Sequence, residues 1–150
     1  MIRTRKRMIL CILLLIAVLS FIWGNSLVTG ETSGNMSGQL LQWINKLLRL
    51  DEAGADILHR IVRKGAHFTE FACLGLLLTW LFGMMGEKKG HLFCMPLLFG
   101  MMAACVDETI QVFVPDRGPS PIDIWIDTCG VAAGIVLLLI GHLYVRKTHN

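Results

Sequence analysis

Four long apolar runs set the limits on what this chain can become. They lie at Met8–Trp23, Ala66–Met85, Leu92–Val114 and Ile122–Tyr144. A helix needs about 20 apolar residues to cross a hydrocarbon core of about 30 Å. The last three runs meet that length, and the first meets it once Leu27 and Val28 are added. In lipid the backbone must satisfy its own hydrogen bonds, so such runs become helices. The pattern predicts an all-α integral membrane protein with four transmembrane helices, forming one domain over residues 1–150. Composition agrees: 54% of the 150 residues are hydrophobic and 17% charged, against about 45–50% and about 25% in soluble domains.

The segments between the runs refine this picture. Arg3, Arg5, Lys6 and Arg7 precede the first run, as they would in a secretory signal peptide or a first membrane helix. No clean small-x-small cleavage site follows, so a retained helix is expected. Residues 29–38, TGETSGNMSG, read as a polar loop. Its Asn35-Met36-Ser37 is a glycosylation acceptor only in a eukaryotic secretory setting. From Gln39, Leu40, Leu41, Ile44, Leu47 and Leu48 recur at helical spacing opposite Gln42, Asn45, Lys46 and Arg49. This predicts an amphipathic interfacial helix between the first and second spans, with Trp43 and the basic residues at the membrane surface. A soluble helix packed on a neighbour would show the same periodicity. Gly86–His91 reads as a tight basic loop and Pro115–Pro121 as a rigid turn.

The five cysteines lie in apolar runs without a CxxC pair, so they read as small buried hydrophobes and not as a disulfide frame or zinc site. A net charge of +3 without a basic and aromatic stripe argues against nucleic-acid binding.

Ionisable residues at the edges of the spans are the informative departure. A charge at the centre of a membrane helix costs about 2.5–3.5 kcal/mol on insertion scales, so such residues are rare without a role. Lys64, His67 and Phe71 share a helical face at the start of the second run, with Glu70 nearly on the same side, and both Arg63 and Lys64 are placed to snorkel to head groups. Asp107, Glu108 and Gln111 form a polar stripe in the last turns of the third. Arg117 stands in the proline turn. Asp123 and Asp127 lie one turn apart on the fourth run, continued by Gly130 and Gly134 as a small-xxx-small strip that admits a neighbouring helix.

Basic residues are densest in the N-terminus, the 86–91 loop and the tail. The positive-inside rule then predicts a multi-pass cell-membrane protein with both termini cytoplasmic. All the polar site residues would face outward at one level, arriving from three helices.

These motifs resemble the VanZ-like membrane family. The resemblance rests on K-x-x-H-F-x-E-F at 64–71, D-E-x-x-Q-x-F-x-P-x-R at 107–117 and D-x-x-x-D-x-x-G-x-x-x-G at 123–134, together covering about residues 60–140. The family usually has Tyr at Phe71, Gly at Asp116 and Asn at Asp127. The resemblance implies a small protein of the bacterial cell envelope; antibiotic resistance toward the glycopeptide teicoplanin is the family's label and not an expectation for this chain.

Three readings of the polar site follow. In the first, Lys64 and Arg117, with Gln111, Asp123 and Asp127, bind an anionic envelope lipid or a lipid-linked cell-wall precursor, since arginine offers a planar fork of donors. His67, Glu70, Asp107 and Glu108 are then the candidate catalytic acids and bases, because crowded carboxylates push one another's pKa values apart. In the second, Lys64, His67 and Arg117 neutralise Asp107, Glu108 and Asp123 in a purely structural network. In the third, His67, Glu70, Asp107 and Asp123 hold a divalent cation. No single helix carries metal-ligand spacing, so no residue is assigned as a metal ligand and no cofactor is required. The expected partners are membrane lipids.

Overall fold

The computed structural model describes residues 2–28, 44, 46, 51–88, 90–115, 117 and 120–148. These residues form four long helices: α1 (Ile2–Leu27), α2 (Glu52–Met84), α3 (His91–Val112) and α4 (Pro121–Thr148). No strand occurs among them. All four are long and apolar enough to cross a membrane. The polar loop at 29–38 and its glycosylation acceptor lie outside the described residues. So does the interfacial helix, except for Ile44 and Lys46, which are helical.

Helix α2 begins well before the apolar run that predicts it. Asp51 stops it at the N-terminus, its Oδ1 accepting from the Gly54 N–H at 2.9 Å, and such a cap satisfies a donor that has no partner within the helix. The helix is 33 residues long, about 50 Å at ~1.5 Å per residue. That is roughly 20 Å more than a hydrocarbon core, so the turns from Glu52 to Lys64 extend past the apolar part. At the other end Gly86 adopts φ +81, the left-handed conformation that glycine takes without a Cβ clash. The chain turns there, and α3 starts at His91.

Helices α2 and α3 are antiparallel, as are α3 and α4, which leaves α2 and α4 parallel. The closest approach is between these two. A Cβ at Gly130 would run into the Phe68 backbone, one at Gly134 into the backbone of Ala72 and Leu76, and one at Gly75 into the Val131 backbone. The glycine strip expected on the fourth run is therefore the surface on which α2 rests. Helix α1 lies across α2 and α3, its Trp23 indole donating to the Ala103 carbonyl at 3.4 Å.

The core is slim: Cys11, Leu15 and Ile22 from α1, Phe71 and Leu74 from α2, Ala103 and Ala104 from α3, Val131 and Ile135 from α4. Larger apolar side chains such as Leu13, Phe21, Phe99, Met102 and Leu137 point outward. Only 17% to 33% of each apolar window is buried inside the bundle. In water that much exposed hydrocarbon would drive aggregation; in a bilayer it meets lipid. The same geometry corrects the reading of the cysteines. Cys11 is buried, but Cys73, Cys94, Cys105 and Cys129 face outward, since lipid as well as protein can cover a small apolar side chain.

Candidate functional site

At one end of the bundle the polar residues of α2, α3 and α4 meet. Parallel α2 and α4 bring Lys64 beside Asp123, and the two form an ion pair. Antiparallel α3 delivers its C-terminal stripe to the same level. There His67 Nδ1 stands 4.0 Å from Asp107 Oδ2, too long for a hydrogen bond but close enough for charge to be felt. Gln111 is the hub. Its Nε2 donates to Asp107 Oδ2 at 2.9 Å and to Ser26 Oγ at 3.3 Å, while its Oε1 accepts from Arg63 Nη2 at 3.3 Å. Arg63 therefore reaches inward and does not simply snorkel.

The described residues between α3 and α4 tie these helices to each other and to α1. Glu108 Oε2 accepts from the Ser120 N–H at 2.8 Å, holding the start of α4 against the end of α3. Arg117 donates from Nε to the Val28 carbonyl at 3.0 Å and from Nη2 to the Asn25 carbonyl at 2.8 Å. It thus caps the C-terminus of α1, where the last carbonyls have no partner within the helix. Burial pushes the Arg117 guanidinium below its ordinary pKa, and Arg63 adds to this, while Asp107, Glu108 and Glu70 oppose it. An arginine so placed stays charged.

A cavity of about 70 Å³ opens between these helices, lined by Arg60, Arg63, Lys64, His67, Glu108, Gln111, Asp123, Ile126 and Asp127. Asp107 lies behind it, with no exposed surface. That volume admits several waters or one phosphate-sized group. Of the residues expected to bind ligand, Lys64, Gln111, Asp123 and Asp127 line the cavity, whereas Arg117 is committed to α1. Of the candidate acids and bases, His67 and Glu108 line it and Asp107 backs it. Glu70 does not. Its Oε1 accepts from Asn25 Nδ2 at 3.2 Å, facing α1.

The site is not a closed set of ion pairs. Among the described residues, its one ion pair that needs no protonated imidazole is Lys64–Asp123, and His67 and Asp107 would pair only if the imidazole carried a proton. His67 Nδ1, Glu70 Oε2, Asp107 Oδ1, Glu108 Oε1, Arg117 Nη1 and Asp127 Oδ1 are buried without a hydrogen-bond partner. One ligand atom each of His67, Asp107 and Asp127 lies within 4.8 Å of the other two. The cation-site set suggested by the sequence thus loses two members and gains one: Asp123 is taken by Lys64, Glu70 faces Asn25, and Asp127 is present instead.

Sequence reasoning missed α1's share of the site. Asn25 and Ser26 are polar residues at the end of an apolar run, the same signal that marked His67 and Glu70, but they carry no charge. Arg60, one turn before Lys64, lies in the part of α2 that precedes the apolar run, where hydropathy gives no signal.

A family model described as VanZ/LLP1 matches residues 10–142 of the chain. Comparison with curated proteins and with solved structures gave no match.

Proposed function

The chain belongs to the VanZ/LLP1 family, and from that premise we propose that it binds the anionic head of an envelope lipid or lipid-linked cell-wall precursor. One observation carries this reading. Among the described residues, neither Arg60 nor Arg63 has a carboxylate within ion-pair distance, although both line a cavity that also contains carboxylates. Arg63 gives one donor of its fork to Gln111 and Arg60 has no carboxylate partner, and arginines without a carboxylate at the mouth of a pocket are suited to a phosphate or carboxylate from outside the protein. The pocket opens where the apolar part of α2 gives way to its polar turns, the depth at which a lipid head group lies. Lys64 is half-exposed beside them and would add a third positive charge on exchanging Asp123 for the ligand.

The basic residues at the opposite end support an orientation with both termini cytoplasmic and the pocket at the outer leaflet. In that orientation the head group of a cell-wall precursor is within reach, and binding it would alter susceptibility to glycopeptides such as teicoplanin. The purely structural reading accounts for the Lys64–Asp123 pair and for Arg117 at the end of α1, but not for Arg60, which lines the cavity without a carboxylate partner among the described residues.

The test is lipid retention measured by native mass spectrometry. Purified protein is equilibrated with equal amounts of a polyprenyl phosphate, phosphatidylglycerol and phosphatidylcholine. Selective retention of the anionic lipids is expected, falling about tenfold when Arg60→Ala and Arg63→Ala are combined, as for about 1.4 kcal/mol of lost binding. Equal retention of all three lipids, or retention indifferent to the arginines, contradicts the proposal.

A further inference from the structure

We infer that His67, Asp107 and Asp127 form a divalent-cation site at the floor of the pocket. The three come from α2, α3 and α4, and each presents one ligand atom within 4.8 Å of the other two. Tetrahedral ligands of one ion at about 2.0–2.2 Å stand about 3.3–3.6 Å apart, so side-chain movements of about 1 Å would complete the set. Asp107 is 0% exposed and Asp127 2%. Each has a buried oxygen without a hydrogen-bond partner among the described residues, as does the Nδ1 of His67.

The nearby bases do not answer this need. Lys64 pairs with Asp123, and Arg117 donates to the carbonyls of Asn25 and Val28. Arg63 donates to Gln111. No base other than His67 stands within ion-pair distance of Asp107, and none within that distance of Asp127, among the described residues. Two ionised carboxylates buried side by side without countercharge are strongly unfavourable. A dication neutralises both and engages the imidazole as well.

The surroundings hold one ligand in place. Gln111 Nε2 engages Asp107 Oδ2 at 2.9 Å and leaves Oδ1 unengaged. Arg63 and Ser26 in turn fix Gln111. Partners of this kind orient a metal ligand and tune its basicity. One nitrogen and two oxygens favour Zn²⁺ or Mn²⁺ over Mg²⁺ and Ca²⁺, which prefer oxygen alone. Three protein ligands leave coordination positions open, and Asp127 lines the cavity, so those positions face a space that water or an anionic oxygen can reach. The inference stands on this ligand geometry and does not depend on a lipid ligand.

The experiment uses full-length, tag-free protein in detergent, stripped with chelator and reloaded with Zn²⁺, Mn²⁺, Mg²⁺ or Ca²⁺. Bound metal is counted after desalting, and the melting temperature is recorded. One Zn²⁺ or Mn²⁺ per chain is expected, with a rise of several degrees. Affinity should fall by about 100-fold or more in Asp127→Asn and in His67→Gln, since losing merely a partner of a ligand already costs about 10–100-fold. His91→Ala, altering an exposed histidine at the far end, should bind as the parent does. X-ray absorption at the zinc edge of the parent needs no variant to fold, and a shell of nitrogen and oxygen including one imidazole is expected. A sulfur shell would place the ion on the outward-facing cysteines and overturn the inference. So would absence of uptake, uptake unchanged in Asp127→Asn, or a preference for Mg²⁺ or Ca²⁺. Lipid retention by the arginine variants is a separate readout, so the two proposals fail independently.

Discussion

The two ends of this bundle handle charge in opposite ways. At the end formed by Glu87, Lys88 and His91, the side chains stand in water, with His91 Nδ1 3.0 Å from Glu87 Oε2 and more than half of the histidine exposed. At the other end Asp107, Asp127, Glu108 and Arg117 are all buried. Solvent dissipates the first set, so each residue there acts almost alone. The second set is held by convergence: α2 and α4 are drawn together by glycines, α3 brings its stripe between them, and Arg117 fastens α1 on top. Similar residue types are thus close to neutral for stability at one end and strongly coupled at the other.

That contrast can be broken most severely through the helix contact that creates it. Gly134→Val should destabilise the bundle by about 3 kcal/mol or prevent folding, at or beyond the upper end of typical overpacking costs, because the Ala72 backbone is already in contact there. Gly141→Ala, where nothing lies within 4 Å of the new methyl group, should leave the melting temperature unchanged or slightly higher. Comparable losses at the two positions would show that α2 and α4 do not meet as described.

A smaller effect is expected at the cap of α1. Arg117→Gln removes hydrogen bonds from a charged donor to two helix-end carbonyls, a loss of about 1.5–3 kcal/mol. Lys88→Gln, exposed at the opposite end, should change stability by less than about 0.5 kcal/mol. Unfolding in detergent monitored by circular dichroism reads both. The weakest expected effect is that of His91→Ala, which removes an exposed i,i+4 pair worth about 0.2–0.5 kcal/mol. A larger loss would mean that the far end is not the passive one.

Much of this contrast was legible in the sequence. The apolar runs fixed the number of long helices, and the i, i+4 spacing of Asp123, Asp127 and the glycines identified the face of α4 that packs on α2. The positions of His67, Asp107 and Asp123 at the edges of apolar runs foretold that they would meet. What periodicity could not supply was partner choice. Glu70 and His67 lie three residues apart, yet one turns to α1 and the other to α3, because the division depends on how helices cross. The commitment of Arg117 to the end of α1 depends on a loop conformation that no pattern encodes. The early start of α2 carries no apolar signal, because hydropathy marks the apolar part of a helix and a helix can continue past it.

The meeting of ionisable side chains from separate helices is tested most directly by a double-mutant cycle on His67 and Asp107, which belong to α2 and α3. Stabilities of His67→Gln, Asp107→Asn and the double variant are compared with the parent in one detergent. A coupling of about 1 kcal/mol or more is expected, as for neighbours in one network. Additivity within about 0.3 kcal/mol would mean that the two side chains do not share a pocket.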